Sequence, residues 1–107
     1  MDIDQERARK IARKNDLFRQ TGTHDINVTS GVYDLPDLYG LVQSVRQFDS
    51  FTEDNDPYSE HDFGSLDWHG ETVYWKIDYY DQALRNGKDP RDVDCRRVLT
   101  VLLASEY

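Results

Sequence analysis

The stretch FGSLDWHGETVYWKIDYY, Phe63 to Tyr80, decides the fold. Two runs of alternating apolar and polar residues flank the pair His69-Gly70. A period of two marks strands, and a two-residue turn closes a hairpin whose loop length sets the register. Trp68 then stands opposite Glu71, followed by Leu66–Val73, Gly64–Trp75 and Asp62–Ile77. Leu66, Trp68, Val73, Trp75 and Ile77 all fall on this face, which is therefore the core face. Gly64 has no side chain opposite Trp75, so the indole can lie across it. The other face pairs Asp67–Thr72, Ser65–Tyr74, Phe63–Lys76, His61–Asp78 and Ser59–Tyr80. It is polar and aromatic, and half-exposed.

The segment EDNDPYSEHDFG, Glu53–Gly64, feeds this hairpin and holds five carboxylates, a histidine and a proline. A standard calcium loop needs oxygen ligands at positions 1, 3 and 5, glycine at 6 and an acid at 12. Counted from Asp54, those later positions fall on Tyr58, Ser59 and Ser65, so the pattern fails. A non-standard site would have to use Asp54, Asp56 and Glu60. His24, His61, His69 and Cys95 lack any zinc-ligand spacing. No metal and no cofactor is expected.

Two uses of the segment remain. In the hairpin register, Asp78 would orient His61 across the strands, with Tyr80, Tyr74 and Lys76 on the same face. That arrangement is a general-base dyad by residue type, with His61, Asp78 and Tyr80 as its catalytic set. No nucleophile motif accompanies it, so an enzyme is the alternative reading, and a structural pin fits the pair better. The other use is recognition. Glu53, Asp54, Asp56, Glu60 and Asp62 could imitate backbone phosphates, with Tyr58, Tyr79 and Tyr80 adding rigid contact area.

Outward from the hairpin, RRVLTVLLASEY closes the chain. Val98, Leu99, Leu102 and Leu103 also fit a helix, but the open sheet edge needs a partner, so a strand is favoured. Towards the N-terminus, Leu38, Leu41, Val42, Val45 and Phe48 recur at helical spacing after a start marked by Asp34 and Pro36. INVTS, from Ile26, reads as a strand that Gly31 interrupts. Ala8, Ile11, Asn15 and Phe18 share one face of a first helix, capped by Asp2 or Asp4 and stopped at Gly22. Its exposed side carries Arg9, Lys10 and Arg13, a basic strip open to a regulatory partner.

A chain of 107 residues makes one domain, and roughly two-thirds of its unfolded surface is buried on folding. The expected fold is α+β: two helices on a three- to four-stranded antiparallel sheet with a central hairpin. No apolar run reaches the length of a membrane span, no N-terminal apolar region marks a secretory signal, and the single Cys95 suits a reducing compartment. A cytoplasmic protein, monomeric or homodimeric, is expected.

The net charge of −8 is uneven. Residues 1–20 hold six Lys/Arg against four Asp/Glu, while residues 21–107 hold seven against seventeen. A phosphate backbone would repel the acidic body, so no direct nucleic-acid binding is expected.

The blocks RKNDLFRQTG, FDSFTEDNDPYSEHDFG, WKIDYYD and RVLTVLLASEY carry a resemblance. In kind and order they resemble the bacterial family DUF3768. The resemblance implies no activity. It is similar to small accessory proteins of bacterial chromosomes, plasmids and phages, which brings an anti-defence or regulatory role into view. The leading expectation is a small acidic module that binds a protein partner with a basic surface. Its most concrete version is a mobile-element inhibitor of the anti-CRISPR kind, occupying a nucleic-acid-binding groove as a nucleic-acid mimic.

Overall fold

The computed structural model describes residues 2–107. Helix α1 spans Ile3–Thr21, strand β1 Ile26–Val28, a short helix α2 Ser30–Tyr33, and helix α3 Leu38–Arg46. Strands β2 (Phe63–Trp68), β3 (Glu71–Tyr80) and β4 (Arg96–Leu103) follow, and a 3₁₀ turn ends the chain at Ala104–Glu106. The fold is α+β. Among the described residues no helix is long and apolar enough to cross a membrane.

The hairpin forms in the register its parity dictates. Trp68 pairs with Glu71, Leu66 with Val73 and Gly64 with Trp75. A Cβ on Gly64 would collide with the Trp75 indole, so only glycine fits there. The turn at His69-Gly70 takes positive φ at both residues, 50° and 87°, as a tight hairpin requires. The C-terminal segment is a strand, and β4 lies antiparallel against β3 from Val73–Leu103 to Tyr80–Arg96.

The sheet is mixed, not purely antiparallel as expected. Its order is β1-β4-β3-β2, and β1 runs parallel to β4 through Ile26–Leu99, Asn27–Thr100 and Val28–Val101. The backbone continues this ladder on both sides. Leu99 N–H donates to the Asp25 carbonyl at 2.9 Å, and Thr29 N–H to the Val101 carbonyl at 3.0 Å. Asp25 also accepts two hydrogen bonds from the Arg96 guanidinium, 2.8 and 2.9 Å, so an ion pair fixes where β1 joins the sheet.

Gly31 does not interrupt a strand. It lies in α2, an element the sequence did not disclose, which Thr29 caps through its hydroxyl. Helix α3 starts at an Asp37 cap, one residue beyond Pro36. The Asp2 side chain and Gln5 form a reciprocal capping box at the start of α1, and Gly22 ends it.

The core lies on one face of the sheet. Val73, Trp75, Ile77, Leu99 and Val101 meet Val32 of α2 and Leu41 and Val45 of α3. Helix α1 buries Ile11, Ala12, Asn15 and Arg19, one continuous stripe. Ile11 and Asn15 agree with the sequence pattern and Ala12 lies beside them; the buried arginine does not fit it.

Candidate functional site

The acidic segment between α3 and β2 is built around a carboxylate that turns inward. Asp56 is 5% exposed. Its Oδ1 accepts from the backbone N–H groups of Glu60 and His61, at 3.1 and 3.2 Å. Its own N–H donates to the Thr52 carbonyl at 2.8 Å, and its carbonyl accepts from Ser59 N–H at 3.0 Å. Asn55 adds a second knot, accepting from Thr52 N–H at 3.0 Å and donating to the Ser50 carbonyl at 3.2 Å. Ser59 and His61 take left-handed backbone conformations, φ 57° and 58°. Non-glycine residues adopt these only where surrounding bonds hold them.

His61 fastens the loop to α1. Its Nδ1 lies 2.9 Å from Asp16 Oδ1, and its ring stacks on Phe51 at 3.8 Å with a 2° tilt. Its Nε2 faces Asp56 at 3.8 Å. Asp16 in turn accepts from the Arg19 guanidinium at 3.0 Å. Arg19, 1% exposed, also donates to the carbonyls of Val45 and Phe48, at 3.1 and 3.0 Å, and lies over the rings of Trp75 and Phe51. One arginine thereby joins α1, the end of α3 and the loop.

A second buried network closes the other side. Asn15 donates to the Glu60 carbonyl at 2.9 Å and to the Tyr79 hydroxyl at 2.8 Å, and accepts from Arg97 at 2.7 Å. Tyr79 donates to Asp62 at 3.3 Å. Burial is the main cause that raises the carboxyls of Glu60 and Asp62 and the phenol of Tyr79 above their ordinary pKa values. Nearby acids add to it: Asp62 for Glu60, and Asp56 for Asp62. The Trp75 Nε1 alone has no partner among the buried side-chain atoms described.

The structure separates the residues singled out in the sequence. Glu53 and Asp54 are exposed and make no ion pair with any described residue, and Tyr58 is 77% exposed. Asp56 is buried as a cap and is not available to a partner. Glu60, Asp62 and Tyr79 are half-buried in the network beneath the loop. Tyr80 sits at the far end of β3, opposite Arg96.

The His61–Asp78 pair is not formed. The last ladder bond runs from Ile77 N–H to the Asp62 carbonyl, and the left-handed conformation of His61 turns the chain away before it reaches Asp78. Asp78 instead holds Lys76 at 2.8 Å, and the carboxylate on His61 is Asp16. No hydroxyl or thiol of a described residue bonds to the His61 ring, which is held between the Asp16 carboxylate and the Phe51 ring as a clamp. Asp16 and Arg19, an i, i+3 pair beside the apolar stripe, carried a faint signal of this clamp.

Among the described residues no cluster of three or more His, Cys, Asp or Glu side chains is placed to hold a metal. Arg9, Lys10 and Arg13 are exposed on α1. An open groove of about 640 Å³ runs between the start of α1 and the loop, lined by Asp4, Ala8, Arg9, Tyr58, Ser59 and His61 among others. A second, of about 310 Å³, lies on the other side of Tyr58 against Arg7, Ile11 and Glu60. Tyr58 is thus a ridge between two depressions.

No curated protein and no solved structure matches the chain. A family model does, described as protein of unknown function (DUF3768), over residues 28–106. That span holds the hairpin, β4 and the whole acidic loop, while the RKNDLFRQTG block of α1 precedes it. The match covers most of the chain, and the protein therefore belongs to the DUF3768 family.

Proposed function

We propose that this protein is a binding module that presents a preset acidic loop to a basic surface on another protein. The observation that supports it is the division of labour inside the loop. Asp56 and His61 turn inward and hold the backbone, leaving Glu53 and Asp54 without internal partners and Tyr58 standing clear. A loop already fixed in shape loses little conformational entropy on binding. An exposed tyrosine is a rigid anchor, and free carboxylates favour arginine-rich partners. In its most concrete form the partner is a nucleic-acid-binding protein whose groove the loop blocks, as a mobile-element inhibitor would.

The test is capture of partners from the native host by the wild type, by a Glu53→Lys/Asp54→Lys variant and by Tyr58→Ala. Both variants should keep the wild-type melting temperature and lose the captured protein. Retention of that protein by both variants would refute the reading.

A further inference from the structure

The outer edge of β2 offers a second surface. β2 ends the sheet, with only β3 beside it. In an antiparallel ladder, alternate residues point their N–H and C=O groups at the neighbouring strand. The two-residue turn makes Trp68–Glu71 a bonded pair, and Ile77 N–H donates to the Asp62 carbonyl at 2.9 Å, in the same phase. Gly64, Leu66 and Trp68 therefore bond inward to β3, and the backbone groups of Phe63, Ser65 and Asp67 point outward. None of these outward groups has a hydrogen-bond partner among the described residues.

Proteins usually blunt such an edge with proline, lysine, a bulge or extreme shortness. The other edge of this sheet is blunted in that way, since β1 has only three residues. β2 has six, pairs without a bulge, and contains neither proline nor lysine. Beside its edge, on the face away from the core, Phe63 packs against Tyr74 at 5.1 Å and Tyr107 at 6.2 Å. Asp67 is exposed on the same face, four positions along.

Charge selects the occupant. From Gln47 to Trp75 the chain holds eight carboxylates and no lysine or arginine. A second copy would bring the same acidic segment against itself. We propose that the β2 edge is a strand-addition site for an extended basic segment of another protein, with an apolar side chain against Phe63 and Tyr74 and a cation facing Asp67. The proposal stands apart from the role of the acidic loop.

The probe is a synthetic basic peptide in which Val and Lys stand four positions apart, so that both fall on one face of an added strand, titrated into the full chain while amide hydrogen exchange is followed residue by residue. At saturation the amides of Phe63, Ser65 and Asp67 should slow by at least about tenfold, because each gains an acceptor. The Glu53→Lys/Asp54→Lys variant should show that same protection, so failure of the loop reading does not remove it. Ser65→Pro should abolish it, and proline is tolerated there because the lost N–H faces outward. A peptide N-methylated at alternate residues repeats this control on the unaltered protein and should give no protection. Unchanged exchange at the three amides would overturn the proposal. So would equal protection by a peptide with Glu in place of Lys, by the N-methylated peptide, or by raised protein concentration without peptide.

Discussion

Replacing Asp56 with alanine should unfasten the acidic loop, and the structure sets the size of the effect. The carboxylate is 5% exposed and accepts from the N–H groups of Glu60 and His61. A hydrogen bond to a charged acceptor contributes about 1.5–3 kcal/mol. Glu60 and His61 are half-buried, so water reaches part of what is uncovered. The expected loss is therefore about 2–4 kcal/mol, below the full value of two such bonds. In a domain of this size that lowers the melting temperature by about 10–20 °C. Urea denaturation followed by tryptophan fluorescence measures it, since Trp75 is buried beside Phe51. Glu53→Ala is the control, an exposed acid expected to change stability by less than about 0.5 kcal/mol. Asp56→Asn retains one acceptor oxygen and should fall between the two. Equal costs for Asp56→Ala and Glu53→Ala would refute the inward role of Asp56.

Arg19→Met keeps the bulk but strands the carbonyls of Val45 and Phe48, and should cost about 3–5 kcal/mol by chemical denaturation; a cost near that of a surface change would contradict its role as the link. Gly64→Ala forces a methyl into the Trp75 indole and should cost about 1–3 kcal/mol with a shift in tryptophan emission; a neutral result would mean the indole moves freely. Burial holds the Glu60 and Asp62 carboxyls above their ordinary values of 4.5 and 3.8, so the folded state keeps protons that the unfolded chain releases. The stability these groups add is present below the ordinary values and lost as pH rises through the raised ones. Glu60→Gln/Asp62→Asn should flatten that part of the stability–pH curve, and an unaltered slope would count against the burial. Asp25 runs the other way: its hydrogen bond from Arg96 lowers its pKa, so its contribution is lost as pH falls, and Asp25→Asn should remove that loss.

The hairpin was legible because strand parity and a two-residue turn leave one register that puts Leu66, Trp68, Val73, Trp75 and Ile77 together. The glycine opposite Trp75 could be read for the same reason. β4 followed from the need to cover an edge. The parallel seat of β1 was not legible, because Asp25 and Arg96 lie far apart in sequence and only the fold joins them. Arginine by type belongs on a surface, and little in the local sequence sets Arg19 apart. Its burial depends on two carbonyls at the end of α3 and beyond, which no local pattern announces.

The same limit divided the acidic loop. The sequence shows five carboxylates of equal rank, but only one fits beneath the backbone, and hydrogen bonds to Glu60 and His61 choose Asp56. With the backbone so held, His61 meets Asp16 and not Asp78. It left Glu53, Asp54 and Tyr58 as the outward set.

The central claim is that this outward set binds a basic protein surface while the inward set only holds it in shape. The direct measurement is the affinity of the captured partner for wild type and for Glu53→Lys/Asp54→Lys, by calorimetry at low and high salt. The account predicts at least about a tenfold loss for the variant at low salt, a smaller gap at high salt, and an unchanged melting temperature. Equal affinities for the two proteins at low salt would contradict it.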